Sequence, residues 1–204
     1  ISSAASDVYK RQIVDEAHGA HFGFGGGFPQ NATKLGADAV ILSLHKTLPA
    51  FTQTALLNIC GTYIDHRKIE KFLGIYETSS PSYVLMSGIE RCIHYIRENG
   101  ERPFKELRND LDEFYSKTKL KNLRLVKKED FSMDEAYDFD ESKILIFTDN
   151  AGMSGQVLLE KLLGEYQIQL EMASGNYALA LCSIMDTKKG FDRLSYALMA
   201  VSYT

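Results

Sequence analysis

"AVILSLHKTLPAFTQ", Ala39 to Gln53, is the stretch that decides how this chain is read. "AVILSLH", Ala39 to His45, is an apolar, partly β-branched run, the pattern of a buried strand. It ends in "SLHKTL", Ser43 to Leu48, which sets a hydroxyl, an imidazole and an amine within four residues of one another. In open α/β sheets ligands gather at strand ends, so this is where chemistry is expected. Asp15 stands 31 residues before Lys46, at the end of "IVD", where Ile13 and Val14 read as the tail of a second buried strand.

The same upstream stretch, "IVDEAHGAH" (Ile13 to His21), spells at Asp15 to His18 the acid box of one group of nucleic-acid helicases. In such a box one acid holds Mg²⁺ and the next polarises a water. Bulk properties argue against it. The chain has 204 residues, 45% of them hydrophobic, and a formal net charge of −4. That supports a packed core and gives no basic footprint for nucleic acid. A helicase of this type follows its acid box with a short Ser-Ala-Thr strand end; here "SLHK" occupies that place. Cys60, Cys92 and Cys182 are three in number and scattered, which suggests reduced thiols, a cytoplasmic protein and no cysteine-bound metal. No apolar run reaches the ~18 residues of a membrane span.

Outward from the two strand ends, "GFGGGFP" (Gly23 to Pro29) reads as a flexible loop and "NATKLGAD" as a short helix. "FTQTALLNIC" reads as a strand and "DHRKIEKFLGIYE" as an amphipathic helix. Leu85, Ile89, Cys92, Ile93 and Ile96 recur at three- and four-residue steps, one face of a helix that breaks at Asn99-Gly100. A second helix carries Phe104, Leu107, Leu111 and Phe114. Beyond Lys119 the chain is charged and irregular, with a short strand at Leu123 to Val126. Then come a strand at "KILIFT", a helix N-capped by Ser154, two strands turning at Ser174-Gly175-Asn176, and a last helix from "KKGFDRLSYALMA". This predicts an α/β protein: 13–118 as the C-terminal part of a large domain, 119–200 as a small α/β subdomain. "DVYKRQ" (Asp7 to Gln12) and "VSYT" (Val201 to Thr204) match translated sequencing-adapter ends. Residues 1–12 and 201–204 are therefore expected to be scars around an internal fragment, and are set aside from the fold.

The residue types at the two strand ends describe one cofactor. Lysine forms a Schiff base with an aldehyde when burial or nearby cations lower its pKa. A carboxylate keeps a pyridine nitrogen protonated, and a hydroxyl with an imidazole holds a phosphate. That set fits pyridoxal 5'-phosphate. "IVDEAHGAHFGF", "SLHKTLPAFTQTALL" and "TSSPSYVLMSGIE" resemble the matching segments of the Orn/Lys/Arg decarboxylase family, most closely from Ile13 to about Glu90. The resemblance implies the pyridoxal-phosphate-dependent transferase-like (aspartate aminotransferase) fold and decarboxylation of arginine, lysine or ornithine to an amine and CO₂. It implies Lys46 as the Schiff-base lysine, Ser43 and His45 on the phosphate, Asp15 on the pyridine nitrogen and Ala17 against the ring. The loop Thr78 to Ser82 resembles one that reaches a partner subunit's cofactor, which implies a homodimer or higher homo-oligomer. The family's group over the other ring face and its phosphate-binding Gly/Ser turn lie upstream of these segments. "GFGGGFP" is richer in glycine than the family pattern.

Several readings stay open at this stage. His18 is a catalytic candidate on the substrate side of the ring, or it fills the strand mouth. His18 and His21 have no third ligand at metal spacing, so no metal is expected. Thr52 and Gln53 match the family's "TQ" or simply end a strand. Glu171 reads a basic substrate or is a strand-face carboxylate. The rival functions are another enzyme of the same fold, an aminotransferase or a lyase, and an inactive fragment.

Overall fold

The computed structural model describes residues 10–203; most of the expected N-terminal scar, and Thr204, lie outside them. The chain divides into two compact units: residues through Phe24 with Gln30–Gly100, and Gly25–Pro29 with the chain from Glu101 onward.

The first unit is built on a three-stranded sheet ordered β1 (Ile13–Asp15), β2 (Ala39–Ser43), β3 (Ala55–Ile59). β1 and β2 are parallel, with Asp15 opposite Ile41; β2 and β3 are antiparallel, with Ser43 opposite Ala55. β2 alternates: Val40 and Leu42 are buried while Ile41 is 40% exposed. Ile13, expected in a buried strand, is 66% exposed, because β1 is an edge of this sheet among the described residues. The parallel pair needs a crossover, and here it runs through turns. The helix expected over "NATKLGAD" does not form. Asn31's side chain accepts the Thr33 N–H and hydroxyl, offering the backbone a local alternative to a helix, and Gly36 (φ +93°) reverses the chain. α1 (Leu44–Thr47) is a single turn after β2. α2 (His66–Tyr76) starts where Asp65 accepts the Arg67 and Lys68 N–H groups. α3 (Tyr83–Asn99) is capped by Ser82 and ends at Gly100, whose φ of +58° favours glycine. Gly88 of α3 lies under the Phe51 ring: a Cβ there would sit 2.6 Å from Phe51 Cδ2.

The second unit has an all-antiparallel sheet, ordered β4 (Arg124–Leu125), β5 (Lys143–Phe147), β7 (Tyr177–Leu181), β6 (Met172–Ser174). Its helices are α4 (Arg102–Lys117), α5 (Gly155–Tyr166) and α6 (Lys188–Ser202). Alternate residues of β5 (Ile144, Ile146) and β7 (Ala178, Ala180) face the core, as the two-residue period requires. Leu158 and Leu162 of α5 and Leu194, Ala197, Leu198 and Val201 of α6 are buried. Ser154 caps α5 as expected, accepting the Val157 N–H. At Gly155 a Cβ would lie 1.8 Å from the Tyr177 carbonyl oxygen, so only glycine allows this approach of helix to strand.

The sequence places the break after residue 118; the compact units divide before α4. The stripe Phe104, Leu107, Leu111, Phe114 is buried in the second unit, where the Phe114 and Phe191 rings lie 6.1 Å apart. Residues set aside as scars also take part in packing. Gln12 N donates to Asp38 Oδ2 at 2.9 Å. Val201 and Ser202 are buried in α6, and Ser202 Oγ accepts the N–H groups of Lys121, Asn122 and Leu123.

Candidate functional site

The parallel register of β1 and β2 sets their ends side by side. Glu16 N donates to Ile41 O at 2.9 Å and carries the ladder one residue past Asp15. The chain then turns sharply: Asp15 Oδ1 accepts the Ala17 N–H at 3.0 Å, and Gly19 N donates to Glu16 O at 2.9 Å. This turn projects His18 outward. On the other strand, α1 begins directly after Ser43. Leu44 N donates to Thr54 O at 3.1 Å, and Leu48 N to Leu44 O at 2.9 Å, which closes the turn. Lys46 is thereby aimed back across the end of β1, and its Nζ lies 3.0 Å from His18 Nε2.

A cleft of about 590 Å³ opens here in the first unit. Asp15, Ala17, His18 and Lys46 line it, with Glu16 and Phe22 among the walls. Four of the residues singled out in the sequence are thus brought together. Ser43 and His45 are not among the cleft-lining residues. Ser43 is half-buried at the N-terminus of α1, and His45 Nδ1 is 3.0 Å from Thr54 O. Thr54 is itself fixed, its hydroxyl donating to Phe51 O at 2.7 Å beside Gln53 in a left-handed conformation (φ +77°). Thr52 and Gln53 are exposed. His21 is buried with its ring against Phe22, so the two histidines face different surroundings. Glu171 lines a separate cleft of about 350 Å³ in the second unit, with Leu170, Phe191 and Leu194.

One residue of the cleft figures in the sequence only as the second acid of the helicase-like box. Glu16 is 7% exposed, and its Oε2 accepts the Ala32 N–H at 2.7 Å. Its Oε1 is buried with no hydrogen-bond partner among the described residues. Burial pushes this carboxyl above the usual range, partly offset by the Ala32 N–H. Strand alternation was the available signal: next to Asp15, residue 16 points the other way, toward whatever covers β1.

A curated arginine decarboxylase from Halalkalibacterium halodurans is similar to the chain, 28% identical over 187 residues, covering 91% of this chain and 38% of the relative. The chain spans about two-fifths of the length of the curated relatives it matches. Among solved structures, the constitutive lysine decarboxylase of E. coli superposes with a TM-score of 0.62 at 19% identity, over 79% of this chain and 28% of that one. A pyridoxal-phosphate-bound phosphoserine aminotransferase from Trichomonas vaginalis gives 0.58 at 10% identity, over 94% and 54%. At such identities the likeness is one of fold, that of the aspartate aminotransferase class. The family model of the Orn/Lys/Arg decarboxylase major domain matches residues 1–190, and the chain belongs to that family.

Proposed function

We propose that the full-length protein removes the α-carboxylate of a basic amino acid (arginine, lysine or ornithine) as CO₂, using pyridoxal phosphate anchored on Lys46. The observation that carries this is the meeting of Lys46 and His18 at 3.0 Å in the cleft that also holds Asp15. The donor set suits the cofactor. Lys46 would hold its aldehyde carbon and Asp15 its ring nitrogen, and Ala17, with only a methyl group, leaves room for a flat ring. The phosphate is assigned to Ser43 and His45 on the sequence motif alone.

When bound, pyridoxal phosphate supplies an electron sink for the charge left behind as CO₂ departs. The chain's own part is positioning and proton handling. A hydrogen bond between Nζ and Nε2 lets one proton reside on either nitrogen. With the proton on His18, Lys46 is a free amine, the nucleophilic form. With it on Lys46, His18 accepts. Asp15 keeps its carboxylate at the cleft with one oxygen on the Ala17 N–H, which fixes its direction. A homodimer is part of this proposal. It is supported by the resemblance of the Thr78 to Ser82 loop and by the exposure of Phe72, Tyr76, Tyr83 and Val84 around it.

The test is to add pyridoxal phosphate to the full-length protein, reduce with borohydride, and map the labelled peptide. A label on Lys46, with CO₂ release from one of the three basic amino acids, is expected. A folded protein labelled elsewhere or not at all overturns the reading. A Lys46 label with keto-acid formation and no CO₂ moves it to an aminotransferase.

A further inference from the structure

We propose that Glu16 is the positioning residue of this cleft: its carboxyl ties the strand end carrying Asp15, Ala17 and His18 to the wall at Ala32, and so sets how tightly the cleft holds its ligand. This rests on the reading of the cleft as the pyridoxal-phosphate site. The bond spans 16 residues, from the end of β1 to the turn that closes the crossover. Both its ends line the cleft: Glu16 beside Asp15 and Ala17 on one side, and Gln30, Ala32 and Leu35 on the other. The wall also makes its own local bonds, Asn31 to Thr33 and Ala37 N to Ala32 O.

The surroundings of Glu16 are built around its side chain. At Gly19 a Cβ would stand 2.6 Å from Glu16 Cγ and 2.6 Å from the Phe22 ring, so a side chain there would push Glu16 off Ala32 or open the turn that projects His18. Glu16 is 7% exposed and its bond to Ala32 is buried, so the Ala32 N–H it accepts has no ready water to replace it. Glu16 acts through Asp15, Ala17 and His18 rather than on the ligand. Among the described residues its second oxygen has no hydrogen-bond partner, and burial favours the uncharged form, so the role demands an acceptor of this length and not a charge.

Two variants of nearly equal volume separate these requirements in the full-length protein. Glu16→Gln keeps an acceptor oxygen in place of Oε2; Glu16→Met fills the space and offers none. Three quantities are read: amide exchange at Ala32 in the cofactor-free protein, the dissociation constant for pyridoxal phosphate, and the pH at which the bound cofactor's absorbance changes. For Glu16→Gln all three are expected to stay near wild type, with affinity within about twofold. For Glu16→Met, Ala32 exchange is expected to rise about tenfold or more, the size of one lost buried hydrogen bond. Affinity falls by a similar factor, and the absorbance change moves in pH as His18 leaves Lys46. A Glu16→Met protein unchanged in all three overturns the inference. So does a folded Glu16→Gln protein that binds tenfold more weakly, and that result decides the matter even where the methionine variant fails to fold. A wild-type protein that takes no cofactor on Lys46 sinks the function reading instead, while the Ala32 exchange data still test the tie itself.

Discussion

Replacing Ser202 by alanine tests the packing of the second unit at one atom. Ser202 Oγ accepts the Lys121, Asn122 and Leu123 N–H groups at 2.6, 2.9 and 3.3 Å. The side chain is fully buried and Leu123 is 4% exposed, so water does not take its place. A hydroxyl oxygen has two lone pairs, so the two short bonds carry most of the effect and the third shares. Losing two bonds at about 1 kcal/mol each, and leaving their donors in a poorly hydrated place, costs about 2–4 kcal/mol. Alanine returns a few tenths through its better helix propensity. The expected net loss is therefore about 2–3 kcal/mol, read as a lower urea midpoint at unchanged m-value. Ser195→Ala is the control. The Thr118 hydroxyl that faces Ser195 at 2.8 Å also has the Phe114 carbonyl at 2.6 Å, so the expected loss is about 1 kcal/mol. A Ser202→Ala loss below about 0.5 kcal/mol, with Lys121 to Leu123 amides exchanging as in wild type, refutes the reasoning. It would also show that the last turn of α6 is not part of the folded unit.

Thiol labelling follows from burial: Cys60 is exposed, while Cys92 and Cys182 are buried with thiols pushed above their usual range. One of the three cysteines should react quickly with a disulfide reagent in the native protein and all three in denaturant, and fast native labelling of Cys182 would contradict the packing. Glu16 makes a pH prediction with a definite sign. Its folded-state pKa is raised, so the native state holds this proton more tightly than the unfolded chain, and the contribution is most favourable below the unfolded value. Stability from this group declines as pH rises through the window between the unfolded and the folded pKa. Glu16→Gln has no such titration, so its stability relative to wild type should grow in urea unfolding as pH rises above the usual carboxylate range. A difference that stays flat or shrinks would place Glu16 in a hydrated setting.

Elements whose cause is local were legible in the sequence. Ser154, Asp65 and Ser82 cap helices through their own side chains, and Gly100 ends one through its own φ. The turn between β6 and β7 lies where Gly175-Asn176 marks it. Elements whose cause is distant were not. The stripe on α4 shows that the helix buries one face but not which partner it meets, and the partner is α6, some eighty residues later. Asn31 to Ala37 has helix-compatible composition, but Asn31's side chain and Gly36 draw the backbone into turns instead. Ile13 reads as buried because its hydrophobicity is visible, whereas the edge position of β1 is a property of the sheet.

The candidate site divides along the same line. Asp15, Ala17 and Lys46 lie within tight local turns, so residue spacing alone carries them to one cleft once two strands run in parallel. The Lys46–His18 contact needed the register itself: a strand shifted by one residue would turn Asp15 to the opposite face and take His18 out of reach of Nζ. Register also sets the place of Glu16. Beside a catalytic-looking aspartate, an acid reads as a second functional carboxylate, but alternation sends it to the covered side of β1. There its Oε2 meets the Ala32 amide. On the proposed reading, the pair Asp15-Glu16 has two jobs set by one strand: Asp15 faces the cofactor, and Glu16 ties the wall at Ala32. That division is what an ATPase box, with both acids turned to one metal and its water, would not produce.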